Sequence, residues 1–323
     1  MPVDLSETLV IGISATALFD LSEADNIFRE KVKHDPDTAM EEYREYMLQN
    51  ESEPLNDGTG MPIVDALLRL NKHQKDGEPP IVDVVVMSRN SPETGYRVIS
   101  EIRRRKLKIT RFAFTAGESN IEYLDGFYVD LFLTTSENDA QRVIDSNVCA
   151  AAIVKEPPTT NGNLSEDQVR FAFDADAVIF SEESEIVNQT DGLDAFYENE
   201  DTEQDVPLKE GPHAKLLLKL SKLKDRLPGR KEYSPVKLAI FTARNSPAEM
   251  RVIKTLRKWE VYVDMVFFLG GLQKSKFLKV FKPHIFFDDQ DSHLDPASID
   301  VPCAKVLYPS HSPLKKIIQD KKG

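Results

Sequence analysis

Asp174 and Asp176 follow the apolar run "VRFAF", and Asp288 and Asp289 follow "PHIFF"; Thr242 ends the run "KLAIFT", and Lys274 stands near the start of a later amphipathic stretch. Two carboxylate pairs and a hydroxyl therefore sit at the ends of apolar runs, and an ammonium at the start of an expected helix. Carboxylates can attack as nucleophiles, exchange protons or bind a hard cation through oxygen. Each group also has a plainer reading. Asp174 and Asp176 could form a strand-end turn, since aspartates favour turns. Asp288-Asp289 could open an ordinary loop, Thr242 could cap a turn, and Lys274 has surface-type neighbours in Lys276 and Lys279. Arg244 is read as a phosphate contact, a contact to the other half of the chain, or a structural ion pair.

The elements that must position these groups alternate in type. A short apolar strand is expected at about 8–14 and again at 170–174. Each is followed by a charged, mostly helical insertion, roughly 21–78 and 181–234. The insertions include "MPIVDALLRLNKHQK" and "HAKLLLKLSKLKDRL", whose leucines recur at three and four residues. Then come the strands "VDVVVM" and "VKLAIF", a helix opened by Ser-Pro, a further strand, and the runs "VDLFL" and "PHIFF". Ser246-Pro247-Ala248-Glu249 has the composition of a capped helix start. Continuous apolar strands alternating with helices indicate parallel sheets covered on both faces, with ligands bound beyond the strand ends. The acidic stretches 156–168 and 199–210 read as connectors, and the tail "SPLKKIIQDKKG" as a basic, fraying end. Phe196 and Tyr197 either stack on a ligand ring or belong to the core of the second insertion.

The chain also resembles itself. Arg89-Asn90-Ser91-Pro92 returns as Arg244-Asn245-Ser246-Pro247, an offset of 155, and Arg97-Val98-Ile99 returns as Arg251-Val252-Ile253, an offset of 154. The same register pairs Leu131-Phe132 with Ile285-Phe286. Matches in near-constant register across most of each half predict a duplication: an α/β protein of two Rossmann-like units, 1–156 and 157–323, each with a helical cap insertion.

Asp-x-Asp-x-Val, then Thr, then Lys, then Asp-Asp after an apolar strand resembles the haloacid-dehalogenase superfamily of phosphotransferases. Closer still, "FDADAVIFSEESE", "TARNS" and "KPHIFFDDQ" resemble the type I cytosolic 5′-nucleotidase family, over roughly residues 8 to 310. The resemblance implies a magnesium-dependent phosphatase acting on nucleoside 5′-monophosphates. It implies Asp174 as the nucleophile that forms an aspartyl-phosphate, and Asp176 as the acid that protonates the leaving ribose oxygen and then activates water. Thr242, with the N–H groups of Ala243 and Arg244, would bind phosphate, and Lys274 would offset the repulsion between Asp174 and the substrate. Magnesium would be held by Asp174, the backbone carbonyl of Asp176, and Asp288 with Asp289 close by. A phosphatase for sugar phosphates or other small monoesters is the alternative enzyme, and a nucleotide-binding regulator without turnover the alternative from another class.

In the repeat register Ser14 and Thr16 replace Asp174 and Asp176, Asn120 replaces Lys274, and Thr134 and Thr135 replace Asp288 and Asp289. The first half is therefore read as catalytically silent. It is either a structural partner or a pocket that still binds a nucleotide effector, which the resemblance makes plausible.

Composition limits the partners. The net charge of −13 repels nucleic acid and acidic membranes, so a phosphate site must be made locally positive. No stretch has the apolar length of a membrane span. The N-terminus reads as a first strand rather than a secretion signal. Cys149 and Cys303 are far apart and lack metal-ligand spacing, which suits a reducing cytoplasm. The oligomeric state stays open, a homo-oligomer included.

Overall fold

A computed structural model describes residues 4–160 and 164–322. Ten strands form among the described residues: β1 (Leu9–Ile13), β2 (Val82–Ser88), β3 (Arg111–Phe114), β4 (Leu131–Thr134), β5 (Ala150–Val154), β6 (Val169–Phe173), β7 (Val236–Thr242), β8 (Met265–Phe268), β9 (Ile285–Asp288) and β10 (Cys303–Lys305). β1 and β2 are buried along their whole length, as expected of strands covered on both faces.

All ten belong to one sheet, in the order β3-β2-β1-β4-β5-β10-β9-β6-β7-β8. Every pairing is parallel except that of β5 with β10, where Val154 lies opposite Ala304 and Ile153 opposite Lys305. The expectation of separate parallel sheets is thus corrected to a single, mostly parallel mixed sheet. The reason lies in β5 and β10, short strands that the sequence reading did not mark. Each would otherwise be an edge with unpaired N–H and C=O groups, and joining the two satisfies both. Within the sheet each half has the same spatial order, β3-β2-β1-β4-β5 on one side and β8-β7-β6-β9-β10 on the other.

Both insertions are helical. The first holds helices Ser22–Lys31, Pro36–Gln49 and Met61–Arg69, and the second Glu183–Asp191, Leu193–Thr202 and Ala214–Leu223. The last helix of each is sheet cover rather than cap. Ile63, Val64 and Leu67 on one, and Leu216, Leu217 and Leu220 on the other, join a single buried cluster that also includes strand residues of both halves. Each of these helices reaches across the junction, Met61–Arg69 to β6 and Ala214–Leu223 to β1.

Three local expectations change. The helix after β7 begins at Glu249 with Ala248 at its cap, and Ser246 precedes a cis bond to Pro247 instead of capping. Residues 199–202 of the expected acidic connector are helical, and Glu200 is fully buried. The basic tail forms a helix over Pro313–Lys322, anchored by the buried Leu314, so its described part is docked.

Candidate active site

Strand order reverses between β6 and β9, the place where an open α/β sheet leaves a crevice beyond its strand ends. Asp174 is the first residue after β6, and Asp288 is the last of β9. The Asp174 N–H donates to the Phe287 carbonyl at 2.7 Å, which sets the two carboxylates side by side. Lys274 opens the helix Lys274–Phe281. Its ammonium lies 2.8 Å from Asp174 Oδ1 and 2.7 Å from Asp288 Oδ2. All three side chains are nearly inaccessible.

Burial raises the Asp174 carboxyl to about 6, against the opposing pull of Lys274. Burial also opposes ionisation of Asp288, but Lys274 and His293 hold it below the usual range. The His293 Nδ1 lies 3.2 Å from Asp288 Oδ2. Asp174, Asp288 and His293 each offer one ligand atom within 4.8 Å of the others, two buried carboxylates and a half-buried imidazole that could hold a cation. Asp289 is buried beside them. Tyr308 donates to its Oδ2, while Oδ1 has no hydrogen-bond partner. Burial and the neighbouring Asp288 and Asp174 push its carboxyl well up. A buried, orphaned carboxylate oxygen beside two further carboxylates fits a divalent cation. The imidazole in the set leaves the identity of the metal open.

Asp176 also lies near, and its charge raises Asp174 further. Both of its oxygens are taken by Arg244, Nε to Oδ2 at 2.8 Å and Nη2 to Oδ1 at 2.6 Å. The third arm of that guanidinium, Nη1, donates to Glu200. Glu200 also accepts from Arg251 at 2.9 Å and from Ser184 at 2.8 Å. The Arg244 guanidinium lies over the Phe196 ring, 5.2 Å from its centroid. Of the three readings of Arg244, the ion pair is the one seen here. Phe196 is buried under it as part of the cap core, while Tyr197 is half-buried and its hydroxyl donates to Asn245. The first half has a similar tie, from Tyr43 to Asn90 at 2.8 Å.

The turn after Asp176 is held by Gly211. Ala177 adopts a positive φ of 58°, and the following residues receive Gly211 N–H on the Ile179 carbonyl at 2.8 Å. A Cβ at Gly211 would run into the Phe180 carbonyl, so only glycine fits there.

Thr242 is buried at the end of β7, where its Oγ1 accepts from the Arg244 N–H at 3.1 Å; Ala243 between them is exposed. Asp288 accepts from the Gln290 N–H at 2.9 Å. Of the residues singled out in the sequence, Asp174, Lys274, Asp288 and Asp289 come together, and Asp176 and Arg244 form an adjoining pair. His293, Tyr308 and Glu200 were missed. His293 lies five residues after Asp288, a spacing that a search for histidine and cysteine pairs alone does not test. Glu200 sits in the acidic run 199–210, which reads as a connector. A cleft of about 610 Å³ opens beside Asp289, Gln290 and Tyr308, and one of about 510 Å³ beside Ala177 and Ser181.

The matching strand ends of the first half carry hydroxyls that bond to one another. Ser14 Oγ and Thr16 Oγ1 are 3.1 Å apart, and Thr16 Oγ1 and Thr135 Oγ1 are 2.6 Å apart. Thr134 accepts from the Ser136 N–H at 3.0 Å, as Asp288 does from Gln290. Among the described residues no helix is long and apolar enough to cross a membrane.

No solved structure matches the chain. Human cytosolic 5′-nucleotidase 1B is 31% identical to it over 302 residues, which are 92% of this chain and 48% of that protein. The chain thus spans about half the length of that relative. The model of the 5′-nucleotidase family covers residues 1–313, which takes in both halves of the sheet and every group of the site just described, and the chain belongs to that family.

Proposed function

We propose that the chain hydrolyses nucleoside 5′-monophosphates to nucleoside and phosphate, with Asp174 as nucleophile. The observation that carries this reading is the Lys274 ammonium between the buried carboxylates of Asp174 and Asp288, at the strand-order reversal of a chain in the 5′-nucleotidase family. Asp174 attacks phosphorus and forms an aspartyl-phosphate while the ribose 5′-oxygen leaves with a proton from Asp176. Asp176 then takes a proton from water, which cleaves the acyl phosphate and restores Asp174. Thr242 and the N–H groups of Ala243 and Arg244 receive phosphate oxygens. Lys274 offsets the negative charge that gathers as two anions approach.

A divalent cation, magnesium in this reading, would be held by Asp174, Asp288 and Asp289 with the Asp176 carbonyl, and when bound it neutralises part of the phosphate charge. The name of the human relative supports a cytoplasmic setting, as do two buried free cysteines.

The first half is read as silent, because hydroxyls stand where the nucleophile, the acid and the metal ligands would be. A second reading, in which this half binds a nucleotide effector, would use the cavity of about 250 Å³ lined by Thr16, Thr59, Thr135 and Lys155 together with Asp20, Asp25 and Glu156.

Phosphate release from a panel of nucleoside monophosphates and sugar phosphates, with magnesium and then with chelator, tests the proposal. Release from the nucleotides that stops on chelation is expected. Turnover of sugar phosphates alone would replace the substrate class, and binding without release would leave a nucleotide-binding regulator.

A further inference from the structure

The cap and the reacting end of the site meet in one buried chain of charges. Arg244 presents three arms: Nε and Nη2 close on Asp176, and Nη1 closes on Glu200. Glu200 is wholly buried on the cap helix Leu193–Thr202, and Phe196, one turn earlier on the same helix, covers the face of the guanidinium. Arg251 completes the charge balance at 2.9 Å from Glu200. Asp176 is the most open of this group, its side chain 17% exposed, against 10% for Arg251, 1% for Arg244 and none for Glu200. A planar fork held from behind fixes the plane and position of the carboxylate in front of it.

The first half supplies an internal comparison. Arg97, in the helix after β2, is buried as Arg251 is in the helix after β7. Yet Arg97 meets the Tyr46 ring, 5.7 Å from its centroid, and Met47 Sδ at 3.9 Å, and has no carboxylate partner among the described residues. Arg89, which the repeat pairs with Arg244, turns to Asp139 on the half-exposed surface. This fold therefore stands without a buried glutamate at that place. The glutamate occurs in the half that carries the acids.

We infer that Glu200 is a positioning residue for Asp176, acting through Arg244, so that docking of the cap helix sets the place of the proton donor. The inference rests on the function proposed above. It concerns one proton, the one that passes from Asp176 to the 5′-oxygen as the phosphorus–oxygen bond breaks. A leaving group that needs no proton should not feel the loss of Glu200.

The test compares two substrates: a nucleoside 5′-monophosphate, and its analogue with sulfur in place of the bridging 5′-oxygen, whose thiolate leaves unprotonated. Wild-type release of phosphate from the oxygen substrate is measured first; its absence would count against the proposed function rather than against this inference. Glu200→Gln should lower kcat on the oxygen substrate about tenfold or more, with kcat on the sulfur analogue within about twofold of wild type. Equal slowing of both substrates would assign Glu200 a general structural role and overturn the inference, as would no slowing of either. If Glu200→Gln does not fold, Glu200→Met, which offers Arg251 the side chain that Arg97 meets, takes its place under the same criteria. Failure of both variants to fold would assign the residue to the fold and likewise overturn the inference.

Discussion

The Lys274 ammonium lies 2.8 Å from the Asp174 carboxylate, and both groups are buried. The same ammonium is 2.7 Å from Asp288, so one cation balances two acids in a space nearly closed to water. Removing it leaves two like charges facing each other, which costs far more than an exposed pair would. Lys274→Met should therefore lose about 3–5 kcal/mol of stability. Chemical denaturation of the metal-free protein measures this. A loss as small as that of a surface lysine would show that the acids do not depend on the ammonium.

The candidate metal ligands are separable by titration. Asp288→Asn removes the carboxylate that Asp174 and His293 both face, so it should shift the dependence of activity on cation concentration to the right. His293→Ala should shift it less, and Asp289→Asn should shift it if the orphaned Oδ1 is a ligand. A shift with Asp289→Asn and none with Asp288→Asn would move the ligand one residue along.

The first half should be dispensable for the chemical step. Ser14→Ala and Thr134→Ala remove hydroxyls bonded only to neighbouring hydroxyls or backbone, so turnover at saturating substrate should be unchanged. A response to added nucleoside diphosphate that these changes alter would support the effector reading, since coupling between sites needs contacts that differ between states. A collapse of turnover in a folded Ser14→Ala protein would contradict the silent reading.

Acid should destabilise the protein through His213. Its ring is fully buried against Phe287, centroids 4.9 Å apart, and neither nitrogen has a hydrogen-bond partner. Burial depresses its folded pKa to about 3 from 6.5. Between those values the unfolded chain binds a proton that the folded chain refuses, so stability is full above about pH 6.5 and falls as pH drops towards 3. The loss approaches about 1.4 kcal/mol per pH unit. Melting curves at pH 7 and pH 5 should separate more for wild type than for His213→Phe. Equal separation would rule out this histidine as the source.

The sequence made the strands and the order of chemical groups legible because both are local. Apolar runs buried on two faces are continuous, and Asp174, Thr242, Lys274 and Asp288 each stand at the end or start of an element. Even the plainer readings are real: Thr242 and Asp288 each accept a backbone N–H two residues on, as Ser88 and Thr134 do in the first half. What sets the second half apart is the ammonium across two acids, a contact between residues far apart in the chain. The long-range pieces were the ones missed. β5 and β10 are short and find each other only through antiparallel pairing across the halves. Glu200 sits in an acidic run, and nothing in its neighbours reveals the two arginines from another element that bury it. Ser246 had the composition of a cap without the geometry of one.

Phosphate release by Asp174→Asn probes the nucleophile itself, because the change keeps the size of the side chain and removes the attacking charge. Wild-type release from a nucleoside 5′-monophosphate is expected, with a loss of roughly 10⁴-fold or more in the variant, the scale seen when a covalent nucleophile is removed. Release by Asp174→Asn at near the wild-type rate would rule out attack by this carboxylate.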